Sequence, residues 1–352
     1  TEAERVFHSV PRWERYATVA IQALALLAYH GIQMAPLVFM GWLGYGTLDG
    51  SIAPVDAIWL GTLAGFFAWP AMLFIAITVK WTVIGRFQPG RYPVWGLYYC
   101  RWWIVNLFQH LSWSHMFAGT PLMSLYFRAM GARIGRHCTI MTPVGSAYDV
   151  LSIGENSSVG AETHLSAYRV ENGWLEIGRI DIGNRCFVGT QVSLGLNSRL
   201  EDDVWIDDLS HVPDNVVISQ GARCQGVPLK GATFTVPDQM PRATPRPLLY
   251  GTLHLLLIYV MGYFLILTTL PGLALAAFAL TTTDIALGSL ALLAAVPASI
   301  AWFALCVLAV KKLVIGTIKP TTCSIYSPQY LRLWFNRYLM ANTRQILMPL
   351  YA

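Results

Sequence analysis

Two histidines are the side chains best suited to proton transfer in this sequence. A neutral imidazole takes a proton from an attacking hydroxyl or amine near pH 7, and His164 and His211 both lie among turn residues rather than in long apolar runs. Asp149, Glu155 and Glu162 lie close enough in sequence to orient His164. His211 follows Asp207 and Asp208, and a turn histidine bonded to those carboxylates accounts for it equally well. Glu162, Glu171 and Glu176 could surround a cationic amine with negative charge, although solvated loop carboxylates explain them too. His110, His115 and His137 are weaker candidates, and His30 and His254 lie inside apolar segments, where an ionisable group marks a functional site or bonds a neighbouring helix. No metal-ligand spacing, P-loop or carrier-type serine is present, so the chain binds no metal or cofactor of its own and cannot activate its own substrate.

These candidates are placed by a six-residue period. Ile182, Val188, Leu194, Leu200, Ile206, Val212, Ile218 and Cys224 recur without a slip. Cys186, Val192, Ser198, Val204, Ser210, Val216 and Ala222 follow four residues behind them. Neither a helix nor a half-buried strand produces this spacing, whereas a parallel coil of short strands does. The same register occurs upstream at Ile134, Ile140, Ile153, Val159 and Leu165, with Cys138, Val144, Ser157 and Thr163 as inner partners. Two breaks, at 145–152 and 167–176, are expected to form surface loops. The second is the longer; it begins just after His164 and contains an Asn172-Gly173 turn signal.

Around this core the chain is strongly apolar: 55% of its 352 residues are hydrophobic and 12% charged, about half the usual charged share. A net charge of +5 with dispersed basic residues leaves no nucleic-acid footprint. Apolar runs at 17–43 and 58–79, and again at 248–280 and 285–310, predict two membrane hairpins. The tip of each hairpin lacks Lys and Arg while the flanks carry them, which predicts that the flanks and the β-helix face the cytoplasm. Lys80 to Trp103 laid over Lys311 to Trp334 gives eight identities in 24 residues, Lys80/Lys311 and Trp103/Trp334 among them, so the unit repeats. The second unit stops before any hexapeptide, as in a piece of a longer chain or a unit that has lost its β-helix. Aromatic residues crowd 92–133, which reads as helices in the headgroup layer or packed on the hairpin. Six cysteines without redox spacing read as core thiols of a reducing compartment. The expected organisation is 1–91 with the first helix pair, 92–133 connector, 134–236 β-helix, 237–319 proline-rich linker and second pair, and 320–352 the start of a second module.

Phe127 to Gly135 resembles the lead-in of hexapeptide-repeat acyltransferases, and Gln225-Gly226-Val227-Pro228-Leu229 resembles the close of their left-handed β-helix, without the usual Trp before the Gly and Ala after the Pro. A narrower resemblance covers nearly the whole chain. Lys80 to Arg86, Pro89 to Trp95, Arg101-Trp102-Trp103, Gly119 to Leu122 and Tyr330 to Trp334 are similar to the membrane-bound C-terminal region of epsilon-poly-L-lysine synthetase-type nonribosomal peptide synthetases. That resemblance implies transmembrane hairpins alternating with tandem left-handed β-helix modules in a bacterial inner membrane. It implies adenylation and carrier domains as partners, and neighbouring modules in a trimer-like assembly. The implied reaction joins a carrier-bound aminoacyl thioester, held on phosphopantetheine, to an amine acceptor such as a free amino acid or a growing poly-amino acid. Hexapeptide acyltransferases typically use a histidine base, and Asp149-Val150-Leu151 is similar to a segment of the family that could hold an acceptor ammonium, although a turn-forming Asp is the plainer account. Two alternatives stay open: an acyl-CoA-dependent O- or N-acyltransferase acting on a lipid or glycan, and a non-catalytic scaffold.

Overall fold

In the computed structural model the six-residue period closes into a parallel β-solenoid. The structure describes residues 2–143, 147–165, 167–233, 246–317 and 323–348. One side of the solenoid stacks Ile134, Ile153, Ile182, Leu200 and Ile218 in register, and a second stacks Ile140, Val159, Val188, Ile206 and Cys224. On the third side Ser193 and Leu194 pair with His211 and Val212. Three hexapeptides therefore make one coil. Arg185, Gln191, Asn197, Asp203, Leu209 and Asn215, six apart, turn the corners with φ between +53° and +61°, a conformation that Asn and Asp adopt most readily. Gly189 is required where the coils touch, because a Cβ there would lie 2.6 Å from the backbone N of Asp208. Asp208 in turn accepts the Thr190 N–H at 2.6 Å, tying one coil to the next. Two of the inner hydroxyls bond to the next coil, Ser157 donating to the Gly183 carbonyl and Thr163 to that of Gly189, whereas the Ser198 hydroxyl is buried without a partner among the described residues. Cys138, Cys186 and Cys224 are free, buried thiols, and burial pushes all three above the ordinary thiol range.

The breaks in the period do not behave as free loops. In the first, Tyr148–Val150 forms a 3-10 turn, and Tyr148 within it and Leu151 just after it are fully buried. Gln109 donates to the Tyr148 hydroxyl at 2.6 Å. Val144, Gly145 and Ser146, including the expected inner partner Val144, lie outside the described residues. The second break is a hairpin, Tyr168–Glu171 against Trp174–Ile177, turned by Asn172 and Gly173 at φ +50° and +82°, as a two-residue Asn-Gly turn requires. The connector strand Gly90–Pro93 pairs antiparallel with Trp174–Ile177. This third strand anchors the insertion to the segment leaving the membrane hairpin.

A short helix α1 (Glu2–Ser9) precedes α2 (Arg12–Leu48) and α3 (Pro54–Val79). Helix α4 (Leu97–Gln109) packs one face against the hairpin. Its Cys100, Trp102, Val105 and Phe108 are buried, and Tyr29, Phe108 and Leu111 form a cluster with Ala25, Ile32, Met72 and Ile75 of the hairpin. Helix α5 (Pro121–Ala129), capped by the Thr120 side chain, covers the open end of the first coil. Its Arg128 donates to the carbonyls of Ile134 and Gly135, groups that an uncovered edge would leave unpaired.

Residues 1–235 and 236–352 form two compact units. In the second, α6 (Pro247–Thr281) packs on α7 (Ile285–Val310), and α8 (Pro328–Leu347) buries Trp334, Phe335 and Leu339. The proline-rich linker expected at 237–247 lies mostly outside the described residues. The repeat seen in sequence is a repeat in structure. Helices α3 and α7 each have 26 residues and each runs into a five-residue π-turn, Lys80–Ile84 and Lys311–Ile315. Gly85 and Gly316 end the two turns at φ +66° and +64°, with their N–H groups bonded to the carbonyls of Lys80 and Lys311. Among the described residues four helices are long and apolar enough to cross a membrane.

Candidate functional site

The third side of the solenoid brings the two histidines together. His164 bridges to Ser193 in parallel register, and Ser193 pairs with His211. The three are consecutive rungs of one ladder, each one residue before an inward-facing Leu165, Leu194 or Val212. Parallel strands are about 4.8 Å apart, so the histidine backbones lie roughly 10 Å apart with the Ser193 rung between them. Both imidazoles are exposed. They open onto a cleft of about 680 Å³, further lined by Tyr168, Arg169, Glu171, Gly195, Leu196, Pro213 and Asp214. The insertion hairpin thus walls the histidine ladder. Tyr168 is braced edge-on by Trp102 of α4 at 5.0 Å, and burial raises its phenol above the ordinary range.

Arg169 ties the hairpin to the solenoid. Its Nη2 donates to Asp214 Oδ2, and its Nη1 lies 4.0 Å from Glu171. Asp214 uses its other oxygen to accept the Leu196 N–H at 2.8 Å. The hydrogen bond that Arg169 donates to the Asp214 carboxylate holds the guanidinium above its ordinary pKa, so it stays charged at every working pH.

The carboxylates expected around a substrate separate into different places. Glu171 lines the cleft. Glu162 sits at a coil corner with φ +56° and accepts from Gln191 Nε2 at 2.6 Å, so it belongs to the corner ladder. Glu176 pairs with Arg91 at 2.9 Å and fastens the hairpin to the connector strand. Asp149 does hold an ammonium, but that of Lys80: Nζ lies 3.0 and 2.9 Å from its two oxygens, and the Phe87 N–H also points at it. Of the five carboxylates expected to orient the histidines, three are engaged elsewhere: Asp149 on Lys80, Glu162 on Gln191 and Asp208 on Thr190. Ser193, Tyr168, Arg169 and Asp214 were not singled out in the sequence. Ser193 was findable, since it holds the hexapeptide position that His164 and His211 hold. Among the described residues no group of three or more His, Cys, Asp or Glu side chains is placed to hold a metal.

Fold and site together define a membrane-anchored parallel β-solenoid whose histidine ladder is walled by an inserted hairpin. No protein-family model matches the sequence. The chain is similar to a delta-poly-L-ornithine synthetase of Acinetobacter baumannii (strain AB307-0294), with 30% identity over 173 residues, 49% of this chain and 13% of that protein. It therefore spans about an eighth of that relative's length. Among solved structures it overlaps a maltose O-acetyltransferase from Clostridium difficile 630 (15% identity, 31% of this chain and 73% of that one, TM-score 0.25). It also overlaps a hexapeptide-repeat acetyltransferase from Vibrio cholerae (11%, 47% and 87%, 0.24) and a serine acetyltransferase from Neisseria gonorrhoeae (17%, 64% and 91%, 0.23). The assignment of the fold rests on the strand register described above.

Proposed function

We propose that the chain is an acyltransferase module of a membrane-bound poly-amino-acid synthetase, forming an amide between a carrier-bound aminoacyl thioester and an amine acceptor. The observation that carries this reading is the ladder of His164, Ser193 and His211 opening onto a cleft that also holds Glu171 and Asp214. Similarity to the poly-ornithine synthetase supports it. The acceptor nitrogen attacks the thioester carbonyl, the C–N bond forms and the C–S bond breaks. His164 takes the ammonium proton, and the departing thiolate of the carrier's phosphopantetheine is protonated in turn. Glu171 supplies negative charge for the cationic acceptor, and His211 stands across Ser193 as the second proton carrier. Adenylation and carrier domains load the donor, and neighbouring solenoids complete the cleft on its open side.

The test uses membranes that contain the module together with its adenylation and carrier domains. His164→Ala should leave membrane insertion intact and lower product formation by about 10²- to 10⁴-fold, the usual worth of a general base. His211→Ala should cost less. Full activity in the His164→Ala protein would refute the assignment of the base. Turnover with acyl-CoA in place of the loaded carrier would refute the assignment of the donor.

A further inference from the structure

A second cavity, of about 370 Å³, shares no residue with the histidine cleft and opens where α2 begins. Phe7, His8, Arg12, Arg15, Tyr16 and Trp95 line most of it. Among the described residues no carboxylate lines it. Nearby Glu14 spends Oε1 on the Leu97 N–H, and Glu2 is paired with Arg91. Among the described residues neither Arg12 nor Arg15 has a carboxylate partner, and Arg15 Nε is buried without any hydrogen-bond acceptor. The Arg15 guanidinium lies 4.2 Å over the Phe7 ring. One face is thus covered by an aromatic ring, and the charges of the two guanidinium groups that line the cavity are left to an anion that enters it.

The surroundings specify which anion. Arg12 and Arg15 stand just before the apolar run of a helix long enough to cross a membrane. Trp13 and Tyr16 beside them are 65% and 75% exposed, as aromatic residues at the headgroup layer are. Val19, which completes the lining, leads on to exposed Leu24 and Leu27. A phosphate held by the two arginines would therefore have an apolar path along α2 for its acyl chains. We infer that this cavity is a binding site for the phosphate of an anionic phospholipid headgroup. The inference does not depend on the reaction assigned to the histidine cleft.

The experiment places the full chain in phosphatidylcholine nanodiscs and titrates it with short-chain phosphatidylglycerol, reading retained lipid by native mass spectrometry. The wild-type chain should retain phosphatidylglycerol, and Arg12→Gln/Arg15→Gln should weaken retention by about tenfold or more, since each basic residue near the surface attracts anionic lipid appreciably. Arg101→Gln, an exposed arginine on α4, should match the wild type. If the double variant does not fold, Arg12→Gln alone decides, because that side chain is exposed and its loss should still weaken retention several-fold. Equal retention by wild type and Arg12→Gln overturns the site. Competition by millimolar inorganic phosphate overturns the lipid as its occupant, and equal retention of phosphatidylcholine overturns the role of charge.

Discussion

Lys80 and Asp149 form an ion pair between the end of the first membrane hairpin and the first coil of the solenoid, with Nζ and Oδ2 2.9 Å apart and side chains 0% and 8% exposed. The Trp81 ring lies 3.3 Å from the same ammonium. Gly131, at φ +109°, leaves room for the pair, because a Cβ there would fall on Asp149 Oδ1. The hairpin therefore fixes where the solenoid starts, through charges that water does not reach.

Removing one partner of such a pair strands the other charge, which typically costs about 3–5 kcal/mol. Asp149→Asn should accordingly lower the unfolding midpoint of the chain in detergent, measured by circular dichroism. Lys80→Met combined with Asp149→Leu should cost less than either single change, because no charge is then left buried. Single variants that melt with the wild type would show that the pair contributes nothing to joining the two parts.

The Lys/Arg asymmetry of the hairpins predicts which side the solenoid faces. Asp49 follows α2 and Thr283 lies between α6 and α7, whereas Asn197 turns a solenoid corner at φ +58°. Cysteines introduced at Asp49 and Thr283 should react with an impermeant maleimide in intact cells, and one at Asn197 should react only after lysis. The native thiols give little background in the solenoid, since Cys138, Cys186 and Cys224 are buried. The reverse labelling pattern would invert the orientation of the module.

The solenoid was legible because its period is enforced by packing: every sixth residue must be apolar and every corner must tolerate a positive φ. The membrane hairpins were legible from length and polarity alone. The partners of isolated charges were not. Nothing near Asp149 in sequence announces Lys80, 69 residues away, and nothing near Glu176 announces Arg91. The Asn172-Gly173 turn was readable, but the strand Gly90–Pro93 that pairs with its hairpin was not, because four residues containing a glycine and a proline carry no strand period. The π-turns at Lys80 and Lys311 were likewise hidden. Their recurrence at one offset had been visible as identities, without the geometry that the identities preserve.

The Arg169–Asp214 contact separates stability from substrate handling within one pair of residues. Asp214 does two things: one oxygen caps the Leu196 N–H inside the solenoid and the other holds Arg169 of the hairpin. Arg169 takes part only in the second, and both side chains are about a third exposed, so the ion pair itself is worth at most about 1 kcal/mol after solvent screening. Arg169→Gln should therefore barely move the unfolding midpoint, whereas Asp214→Asn, which weakens the corner bond, should cost about 1–2 kcal/mol. On the proposed reaction, releasing the hairpin loosens the wall that carries Glu171 without touching His164. Steady-state kinetics of Arg169→Gln should then show the acceptor KM raised several-fold to tenfold and kcat kept within about threefold, as loss of binding shared by ground and transition states requires. The double variant should match Asp214→Asn in both midpoint and KM, because the contact is already broken. An unchanged KM in Arg169→Gln would mean that the hairpin does not form the acceptor's side of the cleft. A collapse of kcat instead would place the guanidinium itself among the reacting groups.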